Sequence, residues 1–482
     1  MVEQLRVLFL SAEVAPFAKR GGLGDVAGSL PKALQALGVD VRVVMPAYQD
    51  VESGRWNVES MPLLLQVPWG DGSRPVGAFR GTLPGSEVPV YFIADHHLFN
   101  RSEIYGYGDD GYRFAFFSRA ALELMVVDQG WRPHLVHAHD WHTAPAITWL
   151  ATAGQADPRF ANIATLFTIH NLAHQGHSPW ELFDLLRIQS YSMREEPYGI
   201  VNFMARGIHH ATMVNTVSPT YAREIMTPAF GADLDGLLRQ RSGDLHGILN
   251  GIDTEEWDPA GDKRLPDHFS IDKLDNRARL KQALQAQLGL PQKPDVPLLA
   301  MISRLDFQKG LDILGHVIHL LLNNTAGEAQ FVVLGTGDPQ YEGMLRQLAD
   351  YHRDKMRAVL AFNAALAPLI YAGSDMFLMP SRFEPCGLSQ MISMRYGCVP
   401  IVRHTGGLAD TVADWQTGFV FGDHTPAAFW HAVHRALDRY RFDQPGWRSM
   451  QLAGMNSDFS WNRSAQGYMQ LYEWAQSRVR GY

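Results

Sequence analysis

Five short segments set charged or planar polar side chains beside residues that let a backbone approach a ligand. In Lys19-Arg20-Gly21-Gly22-Leu23-Gly24-Asp25 the glycines carry no Cβ to hold a ligand away. Amides at a helix start attract anions, and Lys19 adds a cation beside them. The segment reads as a phosphate or sugar site, with a plain glycine turn as the simpler reading. Ser303-Arg304-Leu305-Asp306-Phe307-Gln308-Lys309-Gly310 carries a planar fork of donors in Arg304 and a point charge in Lys309, a combination suited to a diphosphate. Its alternative is a charge pair on a solvated loop. His137-Ala138-His139-Asp140-Trp141-His142 invites a metal reading, but it has neither H-E-x-x-H spacing nor a C-x-x-C pair. Asp140 beside Trp141 pairs an acid with an aromatic, as sugar sites do, and equally suits a helix cap. His170 and Asn171 follow in Thr168-Ile169-His170-Asn171, and Glu384 sits between Phe383 and Pro385, ahead of the amides of Cys386, Gly387 and Leu388. No base neighbours Cys386 in sequence, so it reads as a packed thiol rather than a nucleophile.

Those residues need strands and helices to hold them. Short apolar, β-branched runs at Val7–Leu10, Val41–Met45, Val90–Ile93, Leu135–His137 and Ala164–Thr168 are each followed by a turn and a helix-like stretch. The pattern restarts at Leu298–Ile302, Phe331–Leu334, Ala358–Phe362, Met376–Met379 and Val399–Val402. Alternation of this kind predicts α/β architecture with two doubly wound, mostly parallel sheets. Most of the five segments fall at or just past strand ends, the edge where such sheets bind ligands. Gly21-Gly22-Leu23-Gly24-Asp25 is echoed by Gly406-Gly407-Leu408-Ala409-Asp410, either as two unrelated glycine turns or as two similar domains each presenting a glycine-rich helix start. The Asp-, Pro- and Lys-rich stretch Pro259–Leu280 reads as a solvated connection. The expected division is 1–245, 246–460 and a C-terminal helix over 461–482, with Tyr468, Leu471, Tyr472 and Trp474 on its apolar side.

Bulk properties exclude several classes. A length of 482 residues suits two or three domains with full cores. A formal net charge of −8 argues against nucleic acid as a partner. Only Cys386 and Cys398 are present, too few for a disulfide framework and suited to a reducing cytoplasm. No stretch reaches the ~20 apolar residues of a membrane span, and the N-terminus lacks a secretory pattern. Gly22-Leu-Gly24-Asp-Val-Ala27 loosely fits a dinucleotide fingerprint. It starts about ten residues past the strand, and the second strand closes in Met45-Pro46 rather than an acid, which weakens a nicotinamide reading.

The ordered set Lys19-x-Gly21-Gly22-Leu23-x-Asp25-Val26, His137 to His142, Phe167 to Leu172, Val217 to Ala222, Leu249 to Asp253, Ser303-Arg304-Leu305, Gln308 to Asp312, Pro380 to Leu388 and Thr405 to Val412 resembles the bacterial glycogen synthase and plant starch synthase family end to end. That resemblance implies a GT-B fold, in which two Rossmann-like domains face each other across a cleft. It implies a retaining glucosyltransferase that moves glucose from ADP-glucose to the non-reducing end of an α-1,4-glucan, with no metal or other cofactor and no membrane. Oligomeric state is left open.

By the same resemblance, Arg304 and Lys309 neutralise the leaving diphosphate. Lys19, Gly21 and Gly22 approach the distal phosphate and glucose, and Glu384 holds the glucose beside Cys386, Gly387 and Leu388. Asp140 and His170 line the sugar from the first domain. Thr405, Gly406 and Gly407 belong to the donor site, Phe362 stands where relatives stack a tyrosine on adenine, and Tyr107, Asn171 and Asn250 lie near the acceptor and cleft. Three positions depart from the family pattern: Arg20 replaces a threonine, Ala205-Arg206 shifts a lysine's charge by one residue, and His174 replaces a tyrosine. The alternatives are a related transferase using UDP-glucose or making maltose-1-phosphate, and a non-catalytic glucan-binding scaffold.

Overall fold

The structure, a computed structural model, describes residues 4–52, 54–127, 130–188, 199–323 and 326–481. The chain divides into two compact units, Met1–Gly251 with Trp461–Tyr482, and Ile252–Ser460.

The first unit carries β1 (Arg6–Leu10), β2 (Asp40–Pro46), β3 (Glu59–Ser60), β4 (Leu65–Trp69), β5 (Gly72–Thr82), β6 (Pro89–Ala94), β7 (Leu135–His139), β8 (Ala164–Ile169), β9 (His177–Pro179), β10 (Ile200–Asn202), β11 (Met213–Thr216) and β12 (Leu245–Gly247). Among the described residues, ten of them form one sheet in the order β12-β11-β8-β7-β1-β2-β6-β5-β3, with β4 added on β5. From β12 to β6 the strands run parallel, and β5 turns antiparallel to β6. The parallel strands are apolar throughout because helices cover both faces, so Val7, Leu8, Phe9 and Leu10 of β1 are all fully buried. The antiparallel edge alternates buried and exposed residues instead.

The second unit carries β13 (Leu298–Ile302), β14 (Gln330–Leu334), β15 (Met356–Val359), β16 (Met376–Met379), β17 (Val399–Arg403) and β18 (Phe419–Phe421), a six-stranded parallel sheet ordered β15-β14-β13-β16-β17-β18. In each sheet the first strand lies inside. The chain winds one way from β1 to β2 and later returns on the other side as β7, and β13 sits likewise between β14 and β16. Such reversals open a crevice at the strands' carboxyl ends.

Three sequence expectations need correction. The unit boundary falls after Gly251 rather than Leu245, because Leu245–Gly247 is itself a strand paired with β11. The strand expected over Ala358–Phe362 runs over Met356–Val359, leaving Phe362 outside it and 90% exposed. Pro259–Leu280 is no solvated connection. Leu265, Phe269, Leu274 and Leu280 are buried, and Asp262 accepts hydrogen bonds from Arg264 and from the Tyr396 hydroxyl at 2.6 Å.

The helix Trp461–Arg480 buries Trp461, Ala465, Tyr468, Leu471, Tyr472 and Ala475 on one stripe against the first unit. Two of its hydroxyls enter a polar network inside the sheet. Tyr472 bonds His137 Nδ1 at 2.8 Å, His137 Nε2 bonds Thr168 Oγ1 at 2.6 Å, Thr168 donates to Asn215 Oδ1, and Asn215 Nδ2 donates to Tyr468 at 3.3 Å. Since Thr168 spends its proton on Asn215, it must accept from His137 Nε2, so Tyr472 donates to Nδ1. Tyr472→Phe leaves that nitrogen a buried acceptor without a donor. The variant is expected to lose about 1–3 kcal/mol of stability, read by urea unfolding.

Candidate active site

The loop after β1 is organised by a residue that sequence reasoning passed over. Glu13 is buried, and its Oε2 accepts the backbone amides of Arg20 at 2.5 Å and Gly21 at 2.9 Å, while Oε1 accepts the Tyr105 hydroxyl at 2.7 Å. The Gly21 amide is therefore committed to Glu13. The signal was present as an acid in Ser11-Ala12-Glu13, just past the end of an apolar strand.

Gly22 opens the helix Gly22–Ala36. A Cβ built on Gly21 or Gly22 would meet nothing within 4 Å, and Gly21 has an ordinary extended φ of −142°. Neither packing nor backbone conformation demands glycine there, and the space beside both is open. Lys19 Nζ rests on Asp25 Oδ1 at 2.5 Å, and burial raises the Asp25 carboxyl against the pull of that lysine. Arg20 turns outward onto Glu103 at 3.0 Å.

β7 and β8 bring the next group together. Asp140 follows β7 with φ +54°, a left-handed conformation that Asp tolerates better than most residues. Its Oδ1 accepts the His170 amide at 2.7 Å and the Asn171 amide at 3.5 Å, pinning the turn after β8. Burial pushes the Asp140 carboxyl up to about 7, while those amides pull it down. His139 Nδ1 meets His170 Nε2 at 2.9 Å, and His139 Nε2 is buried without a partner. An orphaned lone pair costs less than an orphaned N–H. His139 therefore donates from Nδ1, and His170 carries its own proton on Nδ1 as a neutral donor. Burial holds His170 down at about 3, and His137, His139 and His142 also well below the ordinary range. His137, His139 and His170 are joined into hydrogen bonds while the His142 ring stacks on Tyr105 at 4.7 Å, and among the described residues no three His, Cys, Asp or Glu side chains converge as metal ligands.

In the second unit the loops after β13 and β16 lie on either side of the winding reversal. Lys309 Nζ and Glu384 Oε2 stand 2.6 Å apart, both largely buried, and Ser381 Oγ donates to the same oxygen at 2.9 Å. Gln308 stitches the loops, its carbonyl accepting the Arg382 amide at 2.8 Å and its side chain reaching the Phe383 carbonyl at 3.3 Å. Arg304 is over half exposed, held only by Asp306 at 3.2 Å and Gln308 at 3.4 Å.

Glycine has an internal reason in this unit. A Cβ on Gly310 would lie 2.0 Å from the Pro380 carbonyl oxygen, one on Gly406 1.9 Å from that of Glu384, and one on Gly407 2.2 Å from that of Cys386. The Gly407 amide donates to the Glu384 carbonyl at 3.1 Å, and Thr405 is buried at the head of the helix Gly406–Thr411. Gly406 and Gly407 thus owe their identity to holding the Glu384–Cys386 segment. Cys386 is buried and in no disulfide, and Gly387 (φ +73°) and Leu388 lead into the helix Ser389–Arg395.

The remaining expected residues are placed separately. Tyr107 lies between the guanidinium groups of Arg101 and Arg113, at 4.7 and 5.0 Å. Asn250 is buried with Oδ1 unpartnered. Phe362 projects from the loop after β15. Among the described residues none of the three hydrogen-bonds directly to the groups above.

Comparison with known proteins follows the same division. Residues 6–240 match the family model for a starch synthase catalytic domain, and 281–444 match that for group 1 glycosyl transferases. The chain is similar to the glycogen synthase of Moorella thermoacetica, with 45% identity over 100% of this chain and 99% of that one. It is similar to the glycogen synthase of Anaeromyxobacter sp. (strain Fw109-5), with 46% identity over 97% of this chain and 99% of that one. Its structure is similar to the catalytic domain of starch synthase IV from Arabidopsis thaliana, solved with ADP and acarbose, with a TM-score of 0.91 and 36% identity over 99% of this chain and 100% of that one. The fold is accordingly GT-B.

The depressed histidines fix a sign for pH dependence. Below their ordinary value of 6.5 the unfolded chain takes up protons that His137, His139, His142 and His170 refuse in the fold. Asp140 and Asp25 work the other way, gaining protons more readily when folded, but His210, His246, His352 and His424 are also lowered and keep the balance with the histidines. Stability by urea unfolding is expected to fall as pH drops from about 7 to about 5, and the His170 ring resonances are expected to stay neutral across that range. A His170 midpoint near 6.5 would contradict the burial argument.

Proposed function

Since the chain belongs to the family of bacterial glycogen synthases and plant starch synthases, we propose that it transfers glucose from ADP-glucose to the non-reducing end of an α-1,4-glucan with retention of configuration. The observation that carries the reading is the Lys309–Glu384 pair beside Arg304 at the carboxyl edge of the second sheet. When the bond from glucose C1 to the distal phosphate oxygen breaks, its electron pair leaves with the diphosphate. Positive groups aimed at that oxygen lower the barrier. Arg304 is weakly held at the surface and swings onto the phosphates at little cost, and Lys309 supplies a point charge that needs no metal. Lys19 adds charge from its own loop by exchanging Asp25 for phosphate, and the empty space over Gly21 and Gly22 admits the sugar-phosphate.

Glu384 has Oε2 taken by Lys309 and Ser381, which leaves Oε1 to accept a glucose hydroxyl. In the first unit, the neutral His170 donates from Nδ1 to a glucose hydroxyl and acts by position rather than as a general acid. Asp140 holds His170 and Asn171 in register. It is a poor nucleophile, since burial keeps its proton near neutrality. With Glu384 tied to Lys309 and Asp140 pinned to amides, neither carboxylate suits a covalent glucosyl intermediate. The acceptor hydroxyl therefore attacks C1 from the face the diphosphate leaves, and its proton passes to the departing phosphate oxygen. Phe362 offers a face for adenine, and Tyr107 and Asn250 serve the acceptor. Cytoplasmic residence is part of this reading. Cys386 and Cys398 are buried thiols in no disulfide, and among the described residues no helix is long and apolar enough to cross a membrane.

Release of ADP from ADP-glucose, measured with and without glycogen, tests the proposal. Lys309→Ala is expected to lower kcat/KM by about 10²–10³-fold. Equal turnover of UDP-glucose would refute the donor assignment. A glucosyl adduct on Asp140 or Glu384, found by mass spectrometry, would refute same-face attack.

A further inference from the structure

Between the end of β1 at Leu10 and the helix that opens at Gly22, the chain runs through the loop that carries Lys19. Part of that loop is fixed by its own backbone. Val14 and Ala18 each donate an amide to the other's carbonyl at 3.0 Å, and the Ala15 amide donates to the Gly24 carbonyl at 3.0 Å. The next stretch is held differently. The Arg20 and Gly21 amides find their acceptor in a side chain, Glu13 Oε2, at 2.5 and 2.9 Å. Backbone left loose in such a loop carries conformational entropy that a ligand must remove on binding.

Glu13 is itself firmly placed. It is buried, the Tyr105 hydroxyl donates to its other oxygen at 2.7 Å, and the Tyr105 ring stacks on His142 at 4.7 Å. The Ser11 hydroxyl donates to the Glu13 carbonyl at 2.5 Å. Lys19 lies beside the same group. A Cβ built on Gly24 would sit 3.0 Å from Lys19 Cγ and 3.3 Å from Glu13 Oε2, so the lysine stem and the carboxylate border one face of Gly24. Glu13 thus holds the two peptides that follow Lys19 and adjoins the lysine's stem. Its negative charge does not attract a diphosphate, so charge alone gives no reason for an acid here. Its reach does: two methylenes carry one oxygen to two amides and the other to a hydroxyl.

We propose that Glu13 is a positioning residue for the sugar-nucleotide donor. By capturing the Arg20 and Gly21 amides it fixes, before any ligand arrives, the direction in which Lys19 and the open backbone of Gly21 and Gly22 face the distal phosphate. The proposal rests on the donor reading above and assigns Glu13 no contact with substrate. The Arg20–Glu103 pair, exposed on both sides, adds little to the same task.

Two substitutions separate reach from charge. Glu13→Gln loses the charge and keeps the length: its amide oxygen accepts both backbone amides, and its amide nitrogen donates to the Tyr105 oxygen. Glu13→Asp keeps the charge and is one methylene short, so it cannot serve the loop amides and Tyr105 together. The dissociation constant for ADP, read by calorimetry on the whole chain, is expected to rise about tenfold for Glu13→Asp and to stay within about threefold of the wild type for Glu13→Gln. In turnover assays KM for ADP-glucose follows the same order, while KM for glycogen stays unchanged. Should Glu13→Asp fail to fold by urea unfolding, Glu13→Met, of similar length and without acceptors, takes its place with the same expectation. An unchanged ADP constant in the folded aspartate or methionine variant overturns the proposal, since a purely structural acid would lower only the urea midpoint. Weaker binding by the glutamine variant than by the aspartate variant overturns it too, because charge would then outweigh reach. Wild-type protein that binds ADP but releases none from ADP-glucose would count against the proposed reaction alone.

Discussion

A parallel sheet buried on both faces leaves few places where polar groups can be offered to a ligand. Side chains in the strands themselves are mostly apolar, and polar ones such as His137, Thr168 and Asn215 are drawn into hydrogen bonds. The exception is the crevice where the winding reverses and two neighbouring loops part in opposite directions. Both sheets have that reversal, beside β1 in one and β13 in the other. Glu13, Lys19, Asp140 and His170 follow strands at or next to the first, and Arg304, Lys309 and Glu384 follow the two strands flanking the second. The sheets' topology fixes where the chemistry can be, and only then do residue types decide what it is.

Burial sets those roles further. An exposed histidine near pH 7 could donate or accept a proton, but four imidazoles stacked behind β7 and β8 cannot afford the charge. His170 becomes a fixed hydrogen-bond donor whose orientation is handed down from His139 and Asp140. Asp140 likewise loses the character of a free carboxylate and becomes a clamp on two amides. The C-terminal helix reaches the same layer through Tyr472 and His137, so a segment at the end of the sequence supports the strand that carries His139. Distance along the chain is no guide to distance from the site.

The parallel strands were readable because burial on both faces writes an unbroken apolar run, and β13 and β16 agree with the runs Leu298–Ile302 and Met376–Met379. The antiparallel edge was not read. In β5, exposed Ser73, Pro75, Arg80 and Thr82 flank buried Val76 and Ala78, so its pattern is half polar and interrupted by proline and glycine. The apolar run Ala358-Val359-Leu360-Ala361-Phe362 predicts a strand through Phe362, yet β15 is an edge strand and its ladder ends where β14 ends, at Leu334 opposite Val359. Among site residues, charged groups at strand ends were visible. Their partners were not: Ser381, Tyr105 and Tyr472 look like ordinary polar or core residues until the fold sets them against Glu384, Glu13 and His137.

The Lys309–Glu384 pair shows why a buried ion pair can be kept without a stability argument. Desolvating two charges costs several kcal/mol, and a good geometry no more than roughly balances it. The pair therefore adds little to the fold. It does hold an ammonium in a dry, preorganised position until an anion arrives, while Ser381 keeps the carboxylate satisfied on the same oxygen. When a diphosphate approaches, Lys309 can share its remaining protons with phosphate without leaving Glu384 unpaired, because an ammonium carries three donors. Arg304, exposed and loosely held, then completes the charge from the solvent side. In the proposed reaction a buried inner cation and an exposed outer one divide the work: the first sets where the leaving group's charge must go, and the second supplies charge only once the group is there.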